Sequence, residues 1–546
     1  MKKLFCSFFL IGFWGITLTF AQTKPIKNII FMIPDGTSID VLALARWYNN
    51  ALPLAIDPYI RGLVKTHCSD TPIGDSAPTG STYSTGHLSR TGFVATYPDS
   101  VMQGYNIVAT DPKRRFSPMF TILEAAKMQG KSTGLVVTCF FPHATPADFS
   151  SHSQHRDNYD LLSRQMVYNN IDVVFGGGYS YLKPDKRMDK LDLVKVLNEN
   201  KITFLQSPSQ MQAFSGNRVW GLFAPQALKN DLDRNPAEEP SLAEMTKKAI
   251  DILSQNNNGF FMMVEGSKVD WSAHDNDAIG MVTEFLAFDK AVKVALDFAK
   301  DDGNTIVIVA PDHGNSGISI GNSKSNKGYD KLTLKELMNP LLNAKNTVEA
   351  INDLINSKST PDQIRSVFAN RYGVKNLTAT EMNDIQACFG DQSTGNNSKS
   401  KKSAYALQKL TAEIFNRRTY IGFTTTGHTG EDVFLAIYSP EKNAPSGLML
   451  NSEVNRYMQQ TWSVNLDSLT DTYFVPHATV FEGYTQSIDS TDKFNRVLIV
   501  KSDKTILRIH ENKNVVFVNE EEQKFSTLMV YNGISFYVPM SLRKLL

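Results

Sequence analysis

Residues 28–36 read Asn-Ile-Ile-Phe-Met-Ile-Pro-Asp-Gly, an apolar run that ends abruptly at Pro34, Asp35 and Gly36. The run is continuously apolar and does not alternate, which is typical of a strand buried on both faces of a parallel sheet. In open sheets of this kind, ligands bind at the carboxyl ends of the strands. The stretch therefore predicts a central strand with a carboxylate, Asp35, placed where chemistry is expected.

Further runs of the same character follow along the chain, with helical patterns between them. The apolar runs cover 134–138, 259–264, 305–310 and 433–438, and the helical patterns include 119–128 and 280–300. This alternation predicts an α/β fold, doubly wound, with a mostly parallel central sheet flanked by helices. Because polar residues follow several of the runs, we expect their side chains to meet at one edge of the sheet.

Two regions depart from this pattern within the predicted catalytic domain, 22–450, and after it. Residues 315–420 form a predicted helical insertion that caps the site, with helical patterns at 332–338, 347–356 and 403–417 and a polar stretch at 390–398. Residues 465–546 form a predicted small β-rich module, with strand patterns at 497–500, 505–509, 515–518 and 535–538. Tyr531-Asn532-Gly533-Ile534 is a hairpin turn signal within it.

The first residues are typical of a signal peptide. Lys2 and Lys3 precede an apolar stretch, and Thr19-Phe20-Ala21 offers a cleavage position before Gln22. Residues 1–21 are therefore predicted to direct export to the periplasm, the cell surface or the medium; an uncleaved anchor is the alternative. No later run of about 20 apolar residues appears, so no transmembrane body is expected.

The composition argues against a nucleic-acid partner and allows more than one state for the cysteines. The 546 residues carry 56 basic and 55 acidic side chains, which gives no basic surface for nucleic acid. Cys6 lies in the signal segment, and Cys68, Cys139 and Cys388 allow at most one disulfide. We expect these thiols to be buried core residues.

The stretch Gly74-Asp75-Ser76-Ala77-Pro78-Thr79-Gly80 places a serine where a helix begins. Pro78 fits the first turn of that helix. The amino end of a helix presents free N–H groups and a positive dipole, which favour a serine alkoxide and the phosphoryl oxygens that it would attack. The competing interpretation is that Ser76 is an ordinary N-cap residue.

Histidines and carboxylates with metal-ligand character recur at the predicted strand ends. Asp270 and His274 are four residues apart, so on a helix they share one face. Mixed oxygen and nitrogen ligands suit zinc, and two such ions about 4 Å apart can clamp the entering and leaving oxygens of a phosphoryl displacement. The candidate zinc ligands are Asp35, Asp270, His274, Asp312, His313 and His428. Asp35, Thr145 and Glu265 offer only oxygens, which suits magnesium.

Taken in order, the motifs of this chain resemble those of alkaline phosphatases, over about residues 26–440. The resemblance does not cover most of 315–420 or the C-terminal module. The motifs are Ile33-Pro34-Asp35-Gly36, Asp75-Ser76-Ala77 with Ser84-Thr85-Gly86, His143-Ala144-Thr145-Pro146, Phe175-Gly176-Gly177-Gly178, Val264-Glu265-Gly266, Asp270 to His274, Asp312-His313 and His428-Thr429-Gly430.

The resemblance implies a role for each of these residues and a homodimer. One zinc ion would be held by Asp270, His274 and His428, and the second by Asp35, Asp312 and His313 beside Ser76. One magnesium ion would be held by Asp35, Thr145 and Glu265. The family's phosphate-binding arginine falls on Arg156, and the implied reaction hydrolyses phosphate monoesters through a phosphoserine on Ser76.

Two positions depart from one well-known bacterial branch of the family. His143 stands where that branch has aspartate, and Trp271 stands where it has lysine. Both are expected near the magnesium ion and the phosphate. Since tryptophan supplies no cation, a weaker hold on product phosphate is the hypothesis.

Two other function classes compete with a phosphomonoesterase. Sister hydrolases act on phosphodiesters or sulfate esters, but Ser76-Ala77-Pro78-Thr79-Gly80 lacks the arginine of the sulfatase pattern. An exported binding protein with structural zinc would favour closed, cysteine-rich ligation, which the spacing of the cysteines does not supply.

Overall fold

The computed structural model describes residues 25–390 and 397–546. The predicted signal peptide and residues 391–396 of the polar stretch lie outside the described residues. A ten-stranded central sheet organises the molecule. Its strands, in spatial order, are Gly447–Leu450, Ile60–Lys65, Val433–Tyr438, Thr305–Val309, Asn28–Pro34, Phe260–Gly266, Ser132–Phe140, Val173–Gly177, Val219–Leu222 and Thr203–Leu205.

The mostly parallel sheet predicted from the sequence is confirmed. Val433–Tyr438 pairs antiparallel with both of its neighbours, and every other neighbouring pair in this sheet is parallel. Its apolar run predicted a buried strand, and its first five residues are buried. Strand direction was not encoded in that run, because helices and loops cover both faces of the sheet whichever way the strand points.

Helices pack on both faces of the sheet and bury alternate residues of the same strand. Ile30 and Met32 belong to one hydrophobic cluster, while Ile29 and Phe31 belong to the cluster on the opposite face. The helices, in chain order, are Ile39–Tyr48, Ser76–Thr85, Ile122–Met128, Ala144–Asp148, Tyr159–Tyr168, Leu193–Glu199, Pro208–Ala213, Leu242–Leu253, Lys268–His274, Ala278–Asp302, Leu334–Asn343, Val348–Asp353, Pro361–Arg371, Ala379–Gly390, Asn397–Asn416, Asn451–Trp462, Leu466–Tyr473 and His477–Val480.

The predicted insertion is helical, and its apolar side chains join the main core. Leu341 and Phe368 are fully buried in the same cluster as Ile30 and Met32. Pro361–Arg371 and Ala379–Gly390 are helices that the sequence patterns did not predict. The insertion is therefore packed against the catalytic part and has no separate hydrophobic core among the described residues.

The C-terminal β-rich module is a seven-stranded antiparallel sheet with a hydrophobic cluster of its own. Tyr531 ends one strand and Phe536 begins the next, so the predicted hairpin turn is present. Leu528 and Val530 belong to the cluster beneath the central sheet, which joins the module to the catalytic part. The strands, in spatial order, are Val475–Pro476, Phe536–Val538, Glu521–Tyr531, Lys513–Val518, Ile506–His510, Val497–Lys501 and Thr485–Asp489.

Short strand pairs and the cysteines complete the description. Gly314–Asn315 pairs with His428–Thr429, Ser319–Ile320 with Ile421–Gly422, and Ser100–Gln103 with Asn106–Ala109. None of the three cysteines in the described part of the chain forms a disulfide; Cys68 and Cys139 are buried, and Cys388 is partly exposed. Within the described ranges, no helix has both the length and the apolar character needed to span a bilayer.

Candidate active site

Three adjacent strands bring four of the predicted residues to one edge of the sheet. Asp35 follows Asn28–Pro34, Glu265 lies near the end of Phe260–Gly266, and Asp312-His313 follows Thr305–Val309. The register places Ile33 opposite Glu265 and Met32 opposite Val309, so the three strands end at nearly the same level. The convergence expected from the strand patterns is therefore a consequence of parallel pairing.

Asp35, Asp312 and His313 form one potential metal-binding group. The Nε2 atom of His313 lies 3.3 Å from an Asp312 oxygen and 3.6 Å from an Asp35 oxygen, and all three side chains are fully buried. Neither carboxylate oxygen of Asp35 has a hydrogen-bond partner. Burial, and then the charge of Asp312, raise the pKa of Asp35 well above its ordinary value. A cation in this group would offset the desolvation of the carboxylates.

Asp270, His274 and His428 form a second such group. Asp270 and His274 lie one turn apart on Lys268–His274, and His428 comes from a short two-stranded pair. The two imidazole Nε2 atoms are 3.1 Å apart, and an Asp270 oxygen lies 3.4 Å from that of His274. Burial alone would lower the pKa of His274, but its bond to Asp270 and the charge of Asp270 raise it to about 9.

Backbone carbonyls fix the orientation of these imidazoles. The Nδ1 atom of His274 lies 2.7 Å from the Thr426 carbonyl oxygen, and that of His428 lies 2.8 Å from the Gly74 carbonyl oxygen. Because a carbonyl oxygen only accepts, each Nδ1 carries a proton, and each Nε2 is left as the nitrogen that faces the group. This is the arrangement by which outer partners usually orient histidine ligands to a metal ion.

Ser76 lies beside both groups. The ring centroids of His313 and His428 are 3.8 Å apart in a stacked arrangement, so the two groups are neighbours. The Oγ atom of Ser76 is 3.3 Å from Nε2 of His313, and Ser76 is the first residue of Ser76–Thr85. The side chain of the preceding Asp75 makes no capping hydrogen bond, which leaves the positive end of this helix available to an anion.

Arg156 reaches the same cavity from the loop after Ala144–Asp148. Its Nη1 group donates a hydrogen bond to Asp75. Burial opposes the charge of the guanidinium, but Asp75 raises the pKa of Arg156 above its ordinary value. The cavity has a volume of about 400 Å³. It is lined by Asp75, Ser76, His143, Arg156, Asp270, Trp271, His274 and His428, with no residue from the described part of 315–420 among them.

The third predicted group gathers around Glu265. Burial, and then the charge of Asp312, raise the pKa of Glu265 to about 7. Thr145 is fully buried, and its hydroxyl lacks a hydrogen-bond partner of normal length. The structure adds Cys139, which the sequence analysis did not assign: its Sγ lies 3.5 Å from a Glu265 oxygen. Inside a buried strand, a thiol gives no sequence signal that separates a ligand from a core residue.

His143 and Trp271 lie together at the edge of the cavity, with ring centroids 5.7 Å apart. Burial, and then the charge of Arg156, lower the pKa of His143 to about 3, so its imidazole is neutral near pH 7. The Lys268 ammonium lies 5.0 Å from the Trp271 ring and pairs with Glu349 at 2.7 Å. That lysine does not line the cavity and therefore does not replace the cation that Trp271 lacks.

Known proteins resemble this chain over most of its length. The alkaline phosphatase family model matches residues 26–464. Alkaline phosphatase 4 of Bacillus subtilis is 34% identical over 78% of this chain and 87% of that protein. Alkaline phosphatase 3 of the same bacterium is 32% identical over 81% and 90%. The crystal structure of Thermus thermophilus alkaline phosphatase aligns with a TM-score of 0.69 over 81% of this chain and 92% of that one; at 22% identity it supports the fold.

Proposed function

This chain belongs to the alkaline phosphatase family and hydrolyses phosphate monoesters, and from that premise we propose that Ser76 is its nucleophile. In the proposed reaction, the Ser76 oxygen attacks phosphorus, the alcohol departs, and water then hydrolyses the phosphoserine to release inorganic phosphate. The observation that carries this proposal is the position of the Ser76 hydroxyl, at a helix amino end and 3.3 Å from His313, beside both metal-binding groups.

Arg156 is the proposed phosphate-binding residue. A guanidinium can donate two parallel hydrogen bonds to non-bridging oxygens of the substrate and of the transition state. The bond between Arg156 and Asp75 holds that guanidinium at the cavity before the substrate enters. The dipole of Ser76–Thr85 adds to the attraction for the phosphoryl group.

The family is metal-dependent, and the identity of each ion is a proposal. Zinc fits the two groups that mix carboxylate oxygens with imidazole nitrogens: Asp270, His274 and His428 for one ion, Asp35, Asp312 and His313 for the other. Magnesium fits the oxygens of Asp35, Thr145 and Glu265. The unpartnered oxygens of Asp35, Thr145 and Glu265 support cation binding here. When bound, the ions supply Lewis-acid chemistry, which acidifies the serine hydroxyl and stabilises the leaving oxygen.

The first test compares three aryl esters at alkaline pH: a phosphate monoester, a phosphate diester and a sulfate. We expect a strong preference for the monoester, loss of hydrolysis with a chelator, and recovery only when zinc and magnesium are both restored. Preference for the diester or the sulfate would move the chain to a sister activity of the same site.

The nucleophile is tested separately by acid quenching during turnover of a labelled monoester. The wild-type protein is expected to retain label on Ser76, and Ser76→Ala is expected to retain none. Ser84→Ala is the matched control, since Ser84 lies on the same helix and its hydroxyl bonds only to backbone carbonyls. Labelling of Ser76→Ala at the wild-type level would refute the assignment.

Export and dimer formation complete the proposal. Residues 1–21 are the proposed signal peptide, so the mature chain would begin at Gln22 in the periplasm, on the cell surface or in the medium. Amino-terminal sequencing of the mature protein tests this, and an intact Met1 on the recovered protein would contradict it. A homodimer, implied by family resemblance, is tested by light scattering of the purified protein.

The proposed division of the chain assigns catalysis to residues 22–450, including the insertion at 315–420, and leaves 465–546 as a separate module. The separate hydrophobic cluster of the C-terminal sheet supports a separate module, although Leu466 and Phe474 at its start belong to the main core. The contact of Leu528 and Val530 with the main core indicates that the module is fixed against the catalytic part.

A further inference from the structure

Cys139, His143 and Glu265 form a further group of possible metal ligands that includes a thiol. This group shares Glu265 with the proposed magnesium ligands. Cys139 ends the buried part of Ser132–Phe140, and its Sγ lies 3.5 Å from a Glu265 oxygen. One potential ligand atom from each of Cys139, His143 and Glu265 lies within 4.8 Å of the others. Cys139 and Glu265 are fully buried, and His143 is 9% exposed. The three side chains therefore form a closed group at the sheet edge.

Two polar atoms of this group lack partners. Neither Nδ1 of His143 nor Oε1 of Glu265 has a hydrogen-bond partner, although both atoms are buried. The group is also held rigidly: the Cys139 N–H donates to Ser267 Oγ at 3.1 Å, and the Ser267 N–H donates to Thr138 Oγ1 at 3.0 Å. These bonds tie the strand that carries Cys139 to the turn after Glu265. A cation would satisfy the unpartnered acceptors without moving either strand.

We propose that Cys139, His143 and Glu265 bind a thiophilic divalent ion such as Zn²⁺, in competition with Mg²⁺ for Glu265. A thiolate and an imidazole select zinc or cobalt, whereas magnesium prefers oxygens and keeps several waters. Binding the ion releases the Cys139 thiol proton to solvent, because the thiolate is the ligand. The proposed competition rests on the assignment of Glu265 as a magnesium ligand in the proposed function. Binding of an ion by Cys139, His143 and Glu265 does not depend on that assignment.

The test titrates metal-free protein with Co²⁺ and follows near-ultraviolet absorption from sulfur-to-cobalt charge transfer. We expect this band in the wild-type protein, its loss in Cys139→Ser, and its retention in Cys68→Ser, which removes a buried thiol elsewhere. His143→Ala should keep the band but weaken cobalt binding at least about tenfold. Excess Mg²⁺ should raise the cobalt concentration needed for the half-maximal band.

Each remaining outcome overturns part of the proposal. Absence of the band in folded wild-type protein that binds cobalt would mean that Cys139 only donates a hydrogen bond to Glu265. A band that persists in Cys139→Ser would place the ion on another thiol. Insensitivity to Mg²⁺ would remove the competition. Circular dichroism checks the fold of each variant, and the readout is independent of hydrolysis, so failure here is distinguishable from failure of the proposed function.

A different observation concerns the C-terminal sheet and the loop that carries Arg156. Asn512, on the turn between two strands of the module, accepts a hydrogen bond from Gln165 at 2.9 Å. The same Gln165 side chain bonds to both the N–H and the carbonyl of His152, at 2.6 and 3.0 Å. Gln165 is fully buried, and Asn512 and His152 are 1% and 2% exposed. A buried polar chain thus links the module to the backbone four residues before Arg156.

Further bonds hold the rest of this loop. Gln154 donates to the Asn532 carbonyl in the module hairpin at 3.2 Å. On the other side, Ser153 exchanges two backbone bonds with Val94 at 2.8 and 2.9 Å. The loop between His152 and Arg156 is therefore held between the catalytic part and the module.

We infer that the C-terminal sheet positions Arg156 through Asn512 and Gln165. This rests on Arg156 binding phosphate. Asn512→Ala should weaken competitive inhibition by inorganic phosphate and raise KM several-fold, with little change in kcat. Asn512→Asp keeps the acceptor oxygen and should restore wild-type values. Asn519→Ala is the matched control: both asparagines have positive φ and accept a backbone bond, but Asn519 bonds only within the module.

A double-mutant cycle decides the outcome. In an Arg156→Ala background, Asn512→Ala should have no further effect on phosphate inhibition, since the two changes act through one contact. Equal effects of Asn512→Ala and Asn519→Ala, or additive effects with Arg156→Ala, would overturn the positioning role. If Arg156→Ala alone leaves phosphate inhibition unchanged, the fault lies with the Arg156 assignment.

Discussion

At the scale of single residues, the site depends on side chains that are each fixed in position by a hydrogen bond to one partner outside the metal-binding groups. Asp75 holds Arg156, Asn315 donates to Asp270 at 2.7 Å, and backbone carbonyls hold the Nδ1 atoms of His274 and His428. Each partner leaves the functional atom facing the cavity or the metal-binding group. These outer contacts come from distant parts of the chain, so no local pattern in the sequence could predict them.

Removing Arg156 should weaken the stabilisation of the transition state. Charge-assisted hydrogen bonds contribute about 1.5–3 kcal/mol, so Arg156→Ala should lower kcat/KM for an aryl monoester roughly tenfold to a hundredfold. Arg156→Lys should recover only part of this, since an ammonium cannot donate the two parallel bonds. Arg46→Ala, which breaks a pair with Asp57 away from the cavity, is the control. Equal kinetics for Arg156→Ala and Arg46→Ala would contradict the assignment.

A cation at position 271 should tighten the hold on product. Trp271 lines the cavity, and the neighbouring Lys268 is already paired with Glu349. Trp271→Lys should therefore lower the inhibition constant of inorganic phosphate by roughly tenfold, the effect of one modest charge-assisted contact. Trp271→Phe, which keeps an apolar ring, should leave that constant near the wild-type value. If inorganic phosphate inhibits Trp271→Lys no more tightly than it inhibits Trp271→Phe, the prediction is wrong.

At the scale of elements, the helix that begins at Ser76 is buried along its whole length. All ten of its residues are buried, and Asn455 of Asn451–Trp462 donates to the Tyr83 carbonyl at 2.7 Å. Its apolar content is low, so hydrophobic periodicity does not explain its position. Close contacts with Asp148 and with Asn451–Trp462 explain the position of this helix. The sequence predicted only where the helix begins.

Gly80 is a position where the helix packs closely against Asp148. A Cβ atom at Gly80 would lie 2.4 Å from an Asp148 oxygen, so Gly80→Ala forces the buried Asp148 side chain or the Ser76 helix to shift. We expect a loss of about 1–3 kcal/mol in unfolding free energy, with lower kcat. Urea unfolding and initial rates measure the two effects. Because the clash needs Asp148, Gly80→Ala added to Asp148→Ala should cost less than Gly80→Ala alone; full additivity would contradict this contact.

The same scale shows what sequence patterns could and could not predict. Continuous apolar runs predicted the buried strands of the central sheet, because such strands contact hydrophobic layers on both faces. Glu521–Tyr531 was missed, since its first half reads Glu-Glu-Gln-Lys and is largely exposed. Pro361–Arg371 was missed because only Ile364 and Phe368 are buried on it, which leaves little periodicity to detect.

At the scale of the whole molecule, the chain combines a catalytic part that matches the family with a sheet beyond it. The family match ends at residue 464, and the C-terminal sheet begins at Val475. Ordered motifs allowed the candidate site to be predicted because most of them lie where a strand or helix begins or ends. The contact between the C-terminal module and the Arg156 loop could not be predicted, since it joins residues more than 300 positions apart.

Metal removal should destabilise the whole molecule, because the site concentrates buried carboxylates. An ion present at a hundred times its dissociation constant contributes about 2.7 kcal/mol to stability, so chelation should lower the urea midpoint markedly.

The stability lost when the metal ions are removed should increase as pH rises. In the metal-free protein, burial raises the pKa of Glu265 to about 7 and that of Asp35 well above its ordinary value. The folded state then binds more protons than the unfolded state, so this contribution to stability is present near pH 4.5 and is lost as pH rises toward 7. Bound zinc and magnesium require deprotonated ligands and should weaken or reverse that slope. Urea unfolding from pH 5 to 9 with and without both metals checks this, with Glu265→Gln expected to flatten the metal-free profile. Parallel profiles with and without the metals would mean that these carboxylates do not hold the ions.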